Sequence, residues 1–126
     1  QVAHKIISRA EDEGIPREDV IIDPLVLTVG SNTEAAQITL KATRLIAETF
    51  GVNIAMGASN VSHGLPNRAA LNASFLSMAV ACGLSCPITN PLVRSIREAI
   101  LASNLLMGQD EWAMQWIQYC RENDRR

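Results

Sequence analysis

The sequence predicts an α/β fold that forms the C-terminal part of a (β/α)8 TIM barrel, namely helix five followed by strand–helix units six to eight. Three short apolar runs typical of buried parallel strands begin at Val20, Asn53 and Cys86, at intervals of 33 residues, and a barrel of this kind gives each unit about 31 residues. A helical pattern precedes the first strand, and three parallel strands alone would leave both sheet edges unpaired. We therefore assign residues 1–126 to one partial barrel domain, with a small open α/β sheet as the alternative.

The first helix and the first strand follow from the spacing of apolar residues. Four apolar residues share one helical face over residues 1–13: Val2, Ile6, Ile7 and Ala10. Gly14 then ends the helix, as a glycine after the last turn commonly does. The run Val20 to Pro24 is apolar until it meets an acid and a proline, which predicts a buried parallel strand.

A second helix is predicted after a loop from Leu25 to Asn32. Ser31 and Glu34 have the spacing of a capping box at its start, and Gly51 ends it. Six residues recur at helical spacing and are predicted to face inward: Ala35, Ile38, Ala42, Leu45, Ile46 and Phe50.

The strand–helix unit then repeats twice. A strand over 53–57 leads through a polar loop, 58–66, into a helix over 67–82, and a strand over 86–89 leads into a helix over 92–107. The inward face of the first of these helices is predicted to carry Leu71, Phe75, Met78 and Cys82. Asp110 can cap a final helix, predicted to carry Trp112, Trp116, Ile117 and Cys120.

Composition and charge exclude several functions. Of the 126 residues, 48% are apolar and 19% charged, which is typical of a globular protein. The formal net charge of −2 argues against a nucleic-acid-binding surface, because such a surface needs an excess of Lys and Arg. No apolar run approaches the roughly 18 residues of a membrane span, and residues 1–5 do not resemble a secretory signal.

The cysteines point to a reducing compartment. Cys82, Cys86 and Cys120 form an odd, sparse set that does not suit a disulfide framework, so we expect a cytoplasmic protein. Cys82 and Cys86 lie four residues apart, but no histidine or third cysteine is near them in the sequence. We therefore expect small buried side chains there and no metal site.

Polar residues stand where all three predicted strands end. Asp23 ends the first strand, the Ser59-Asn60 pair follows the second just after Gly57, and Asn90 follows the third. In such folds the chemistry lies at the carboxyl ends of the strands. A carboxylate, two amides and a hydroxyl suit a neutral, hydrogen-bonding heterocycle better than a phosphate. For Asp23 alone, a simple turn cap before Pro24 is the alternative.

These residues also carry a resemblance. The run from Gly57 to Arg68 reads Gly-Ala-Ser-Asn-Val-Ser-His-Gly-Leu-Pro-Asn-Arg, and Ile22-Asp23-Pro24 and Ile88-Thr89-Asn90-Pro91 accompany it. Together they resemble the pterin-binding methyltransferases, which include methyltetrahydrofolate:corrinoid protein methyltransferases and the folate domain of cobalamin-dependent methionine synthase. The resemblance extends from about Asp19 to Pro91 and implies a barrel like that of dihydropteroate synthase.

The resemblance implies a function and a role for each residue. A methyl group moves between N5 of tetrahydrofolate and the cobalt of a corrinoid held on a partner protein or domain. Asn60 matches the asparagine that donates a hydrogen bond toward N5, whereas Asp23, Gly57, Ser59 and Asn90 would bind the pterin. The resemblance also implies a homodimer of the full barrel.

The exposed contacts with the corrinoid partner are expected from the loop between Val61 and Arg68. This loop borders the predicted site, and we predict that His63 and Arg68 touch the corrinoid carrier or its cofactor. Relatives often have Phe or Gln at the position of His63. The alternative is a solvated loop with no docking role.

Two other functions remain open. Dihydropteroate synthase shares the barrel and the pterin pocket, but it normally has Ser-Arg-Lys after strand seven and Arg-x-His at strand eight. This chain has Ser59-Asn60-Val61 and Thr89-Asn90-Pro91 instead, so the cations for a pterin pyrophosphate are missing. A non-catalytic half-barrel that needs the missing N-terminal half is the other alternative, because further pterin contacts would come from strands that these residues do not include.

Overall fold

The computed structural model describes residues 1–123, which contain five α-helices and three parallel strands. In chain order these are α1 (Val2–Asp12), β1 (Ile21–Ile22), α2 (Ala35–Phe50), β2 (Asn53–Gly57), α3 (Arg68–Ala81), β3 (Cys86–Ile88), α4 (Arg94–Leu106) and α5 (Met114–Asn123). Short 3₁₀ helices lie at Arg17–Asp19, Ala58–Ser62 and Glu111–Ala113. Every helix and strand predicted from the sequence is present, with ends that differ by a few residues.

The sheet has the order β1-β2-β3, and both neighbouring pairs are parallel. Ile22 lies opposite Ile54, and Gly57 lies opposite Ile88. Consecutive strands are therefore neighbours in space, and a helix connects each to the next. The predicted α/β class with parallel strands is confirmed.

Strand β2 shows how the sheet is covered. Its residues alternate strictly, because Ile54 and Met56 are fully buried whereas Asn53 is exposed. Since successive side chains of a strand point to opposite faces, one face lies under the helices and the other is open. The buried face belongs to the main core, in which Ile54 and Met56 pack with Phe75, Leu76 and other residues of α3 and its neighbours.

A smaller apolar cluster attaches the N-terminal helix to the sheet. Ile7 of α1 is buried together with Val20, Ile22 and Val52. The predicted apolar face of α1 is thus only partly correct, since Val2 and Ile6 are exposed.

The predicted inward faces of α2 and α3 are wrong at several positions. Ile38 and Leu45 of α2 and Met78 of α3 are more than half exposed, and Leu71 is 40% exposed. The buried residues of α2 are instead Ala35, Thr39, Leu40 and Thr43. Both threonine hydroxyls donate to backbone carbonyls, at 3.0 Å for Thr39 and 2.8 Å for Thr43. A hydroxyl satisfied in this way can be buried, so polarity alone misassigned the face.

The N-terminal end of α2 differs from the prediction. Ser31 does not form a capping box with Glu34, because its hydroxyl donates to the carbonyl of Thr28. Asn32 forms a turn just before the helix, in which its Oδ1 accepts the backbone N–H of Glu34 at 2.9 Å, and no side chain among the described residues caps α2. At α5 the predicted cap is confirmed, since both carboxylate oxygens of Asp110 accept backbone N–H groups at 3.0 Å. Trp112, however, precedes α5 and is exposed.

The packing of α2 against α3 requires a glycine at position 83, because there is no space for a side chain there. Its φ of +106° is unfavourable for other residues, and a Cβ there would lie 2.6 Å from the Cβ of Ala47. Gly108 ends α4 with a φ of +74°, but a Cβ there would meet no atom within 4 Å. A side chain at Gly108 would therefore cause backbone strain only, whereas a side chain at Gly83 would cause both backbone strain and a steric clash.

We predict that Gly83→Ala destabilises the fold by more than Gly108→Ala. The change at Gly108 should cost about 1–2 kcal/mol from backbone strain alone. The change at Gly83 adds a clash with the backbone-bound Cβ of Ala47, which only a shift of α2 against α3 can relieve. Urea unfolding of both variants measures the difference. Equal losses in the free energy of unfolding would contradict the steric argument.

Candidate functional site

Three loops leave the sheet at the carboxyl ends of its strands. We call them the strand-end loops, and they comprise residues 23–34, 58–67 and 89–93. Because β1, β2 and β3 are parallel, these loops lie at the same edge of the sheet. The predicted site residues Asp23, Ser59, Asn60 and Asn90 all belong to them.

Asp23 and Asn90 begin their loops with the same local geometry. Oδ1 of Asp23 accepts the backbone N–H of Leu25 at 2.8 Å, and Oδ1 of Asn90 accepts that of Leu92 at 3.0 Å. Each acceptor is followed by a proline, and both side chains are exposed. The turn-cap role considered for Asp23 is therefore present, but it uses one oxygen only. Oδ2 of Asp23 makes no hydrogen bond within the part of the chain that the structure describes.

Asn60 sits in the 3₁₀ helix that follows β2. Its side chain folds back over the end of the strand, where Nδ2 lies 3.5 Å from the position that a Cβ on Gly57 would take. Asn60 is exposed, and its amide makes no hydrogen bond to any residue from 1 to 123. An amide held at a strand end without an internal partner is available to a ligand.

A polar network, buried at Ser62 and Asn72, holds the loop that carries Asn60. Ser62 is fully buried, and its hydroxyl donates to Oδ1 of Asn72 at 2.6 Å. Nε of Arg68 donates to the same hydroxyl at 3.0 Å, and Nη2 of Arg68 donates to the carbonyl of Ser59 at 2.9 Å. The structural roles of Ser62 and Asn72 were not predicted from the sequence. Hydrophobic periodicity could not have indicated these roles, because both residues are polar. Their place in or just after the run from Gly57 to Arg68 was the one sequence signal for them.

Arg68 and His63, the predicted partner contacts, differ in their surroundings. Both are exposed, but Arg68 is tied to its own loop by the two hydrogen bonds described above. His63 is linked to the preceding strand-end loop only through its backbone carbonyl, which accepts the Thr28 hydroxyl at 2.7 Å. A Cβ on Gly30 would lie 3.2 Å from that carbonyl, so the two loops approach closely.

A cleft of about 260 Å³ opens between α3 and α4 beside these loops. We call it the α3–α4 cleft. Ser59 and Asn90, which come from different loops, both line it, together with Arg68, Asn72 and Thr89. The structure thus brings two of the predicted pterin-binding residues to one cavity.

Arg94 and Arg97 lie near the start of α4, but their contacts are with residues of α4 and α5. Arg94 donates to the Glu98 carboxylate at 2.8 Å, and this hydrogen bond lowers the pKa of Glu98 below its ordinary value. The Tyr119 hydroxyl donates to the same carboxylate, and the guanidinium of Arg97 lies 5.2 Å from the centre of the Tyr119 ring. These contacts join α4 to α5, so we do not assign either arginine to the site.

Three further features of residues 1–123 concern the helices, the metal-ligating side chains and the cysteines. No helix in this range is long and apolar enough to cross a membrane. The same residues contain no cluster of three or more His, Cys, Asp or Glu side chains that could hold a metal ion. Cys82, Cys86 and Cys120 are unpaired.

The fold and site define an α/β protein with parallel strands whose carboxyl ends carry exposed polar side chains. Comparison with known families then gives the particular family, since the sequence profile described as "Pterin binding enzyme" matches residues 1–90. The chain belongs to the pterin-binding enzyme family. The family resemblance found in the strand-end motifs is confirmed.

One curated relative of the chain is a methyltransferase by name. The chain is similar to a protein named methylcorrinoid:tetrahydrofolate methyltransferase from Eubacterium limosum, with 23% identity over 123 residues. The alignment covers 97% of this chain and 45% of the relative. The chain therefore spans less than half the length of the curated relative that it matches.

Proposed function

We propose that this chain is part of a methyltransferase that moves a methyl group between N5 of tetrahydrofolate and the cobalt of a corrinoid carried by a partner protein. The observation that carries the proposal is the exposed amide of Asn60, which has no hydrogen-bond partner within residues 1–123 and stands at the end of β2. The name of the 23% identical relative supports the same reaction.

The donor and acceptor groups of the site suit a reduced pterin. A carboxylate accepts hydrogen bonds from the N–H groups of the ring, and Oδ2 of Asp23 is available for this. The amides of Asn60 and Asn90 supply neutral donors, and the absence of a side chain at Gly57 leaves room for the flat ring. Ser59 completes the proposed pterin-binding set.

Asn60 has the central catalytic role in this proposal. When the bond between N5 and the methyl carbon breaks, its electron pair stays on N5, and without a proton N5 would have to leave as an amide anion, which is a poor leaving group. The proton that N5 carries in the tetrahydrofolate product comes from solvent. The amide of Asn60 donates a hydrogen bond toward N5 as that charge develops, without itself being an acid. A donor oriented in advance stabilises the transition state because the donor need not reorganise during the reaction. Cobalt(I) on the partner acts as the nucleophile in the folate-to-corrinoid direction.

Dihydropteroate synthesis is less well supported. That enzyme normally has a lysine where this chain has Val61, and Val61 is 4% exposed and packs in the main core. The position therefore provides no cation to hold a pyrophosphate. The nearby Arg68 is hydrogen-bonded to its own loop.

We also propose that the three strands are units six to eight of a complete (β/α)8 barrel. The open face of the sheet supports this, since Ile21 is 57% exposed and Ile88 is 64% exposed. These side chains would point into a barrel whose interior is filled by side chains from the other strands. The described helices α2, α3 and α4 pack with Ile54 and Met56 on the buried face of β2, as in a barrel and unlike a sheet covered on both faces. The expected cytoplasmic location and the homodimer of the full barrel remain predictions.

Residues 1–126 alone should associate, or require the N-terminal half of the barrel supplied in trans. The physical reason is the exposed apolar face together with two unpaired strand edges. Analytical ultracentrifugation and urea unfolding of the isolated chain test this. A monodisperse monomer with one cooperative unfolding transition would contradict this prediction. It would show that the three-stranded sheet is stable alone and does not need the N-terminal half of the barrel.

Asn60→Ala in the complete barrel should lower the rate constant for methyl transfer by about 10²-fold or more. Single-turnover kinetics with methyltetrahydrofolate and a reduced corrinoid protein measure this rate constant at saturating folate. Asn104→Ala, near the far end of α4, is the matched control and should leave the rate unchanged. If Asn60→Ala reacts at the original rate, Asn60 has no part in the chemical step.

We propose that His63 and Arg68 both contact the corrinoid carrier. Because Arg68 holds its own loop, His63→Ala is the cleaner variant. It should raise the carrier concentration needed for half-maximal transfer about three- to tenfold, as expected for a peripheral interface contact, while methyltetrahydrofolate affinity stays the same. His4→Ala, on α1, is the control. An unchanged dependence on carrier concentration would remove His63 from the interface.

A further inference from the structure

The α3–α4 cleft lies on the helix side of the sheet, behind the proposed pterin site. Ile88 faces the open side, and the next residue, Thr89, lines the cleft with Val93 and Ile96 of α4. Asn90 and Ser59 connect the cleft with the strand-end loops. A ligand bound at these loops could therefore extend a substituent into the cleft.

Thr89 contains the polar atom that the fold leaves unsatisfied. Its Oγ1 is buried and has no hydrogen-bond partner among the residues described. Buried hydroxyl groups are nearly always hydrogen-bonded, because a buried donor without a partner loses its contact with water and gains nothing in return. Rotation about χ1 moves the hydroxyl between staggered positions, so it can turn toward a group that enters the cleft.

Arg68 gives the cleft a positive charge in a fixed position. Its guanidinium donates to Ser62 and to the Ser59 carbonyl, which leaves its remaining N–H groups for another acceptor, since arginine carries five. Among the described residues that line the cleft, Arg68 is the charged one. A guanidinium held by its own loop and an unpartnered hydroxyl that line one cleft favour a carboxylate.

We propose that the α3–α4 cleft binds a carboxylate of the aminobenzoylglutamate tail of the folate, with Thr89 and Arg68 as its hydrogen-bond donors. This inference rests on the proposed function, because it requires the pterin ring to lie at the strand-end loops. It adds a specificity determinant to that function. The site would select a folate with its anionic tail over a pterin that lacks it.

The test measures the affinity of the complete barrel for two ligands by titration calorimetry. One is 5-methyltetrahydrofolate, and the other is a 5-methyltetrahydropterin in which a methyl group replaces the tail. Thr89→Val, which keeps the shape and removes the hydroxyl, should weaken folate binding about tenfold, as expected for a lost hydrogen bond to a charged group. Binding of the pterin without a tail should stay within about twofold, because its contacts lie elsewhere.

Three further measurements separate a ligand role from a structural one. Thr89→Ser should restore most of the folate affinity, and Thr49→Val, at the far end of α2, should change neither affinity. Without ligand, Thr89→Val should unfold at the same temperature as the unchanged protein or higher, because it removes an unsatisfied buried hydroxyl. A lower unfolding temperature together with unchanged folate affinity would overturn the proposal and show that Oγ1 serves the fold.

The remaining outcomes distinguish this inference from the proposed function. If the unchanged protein binds neither compound, the proposed function fails. If it binds both equally well, the pterin site stands and the tail cleft is wrong. If Thr89→Val leaves both affinities intact but weakens transfer to the corrinoid carrier, the cleft takes an acidic side chain of the carrier, and the folate-tail proposal is again overturned.

Discussion

The unequal covering of strand β2 is the constraint on which the rest of the structure depends. Ile54 and Met56 are completely buried on one face, and no helix among the described residues covers the other. A shift of one residue in register would exchange the two faces and expose these side chains, at a cost of about 1.5–3 kcal/mol for each. The register is therefore strongly determined, and with it the positions at which the three strands end.

The amide of Asn60 at the end of β2 remains available because other polar groups hold its loop. Arg68, Ser62 and Asn72 hold the loop after β2 through three hydrogen bonds, of which one is buried, one is partly buried and one is exposed. Asn60, in the middle of that loop, uses its side chain for none of them. A rigid loop with one unengaged amide is the arrangement expected of a donor oriented before its substrate arrives.

The family and the reaction rest on different observations. The family is established by the match over residues 1–90, whereas the reaction is a proposal that depends on which groups face the ligand. Amides and a carboxylate at the strand ends favour a neutral pterin ring, and the buried Val61 disfavours pyrophosphate chemistry. In the complete barrel that we propose, the remaining ligand contacts would come from its other strands.

The sequence by itself determined the order of helices and strands, the parallel class, the glycines that follow the first four helices and the family. These features depend on local spacing and on short motifs, which are visible without knowing what packs against them. Capping at Asp110 was predicted for the same reason.

Only the tertiary structure decided which helix faces are buried, which hydroxyl groups are satisfied and which are not. Thr39 and Thr43 replace Ile38 and Leu45 in the covered face of α2 because nearby carbonyls accept their hydroxyls. The Ser62 hydroxyl is satisfied by Asn72, ten residues away, whereas the Thr89 hydroxyl has no partner among residues 1–123. Such pairings depend on where distant segments meet, and hydrophobic periodicity in one segment carries no information about them.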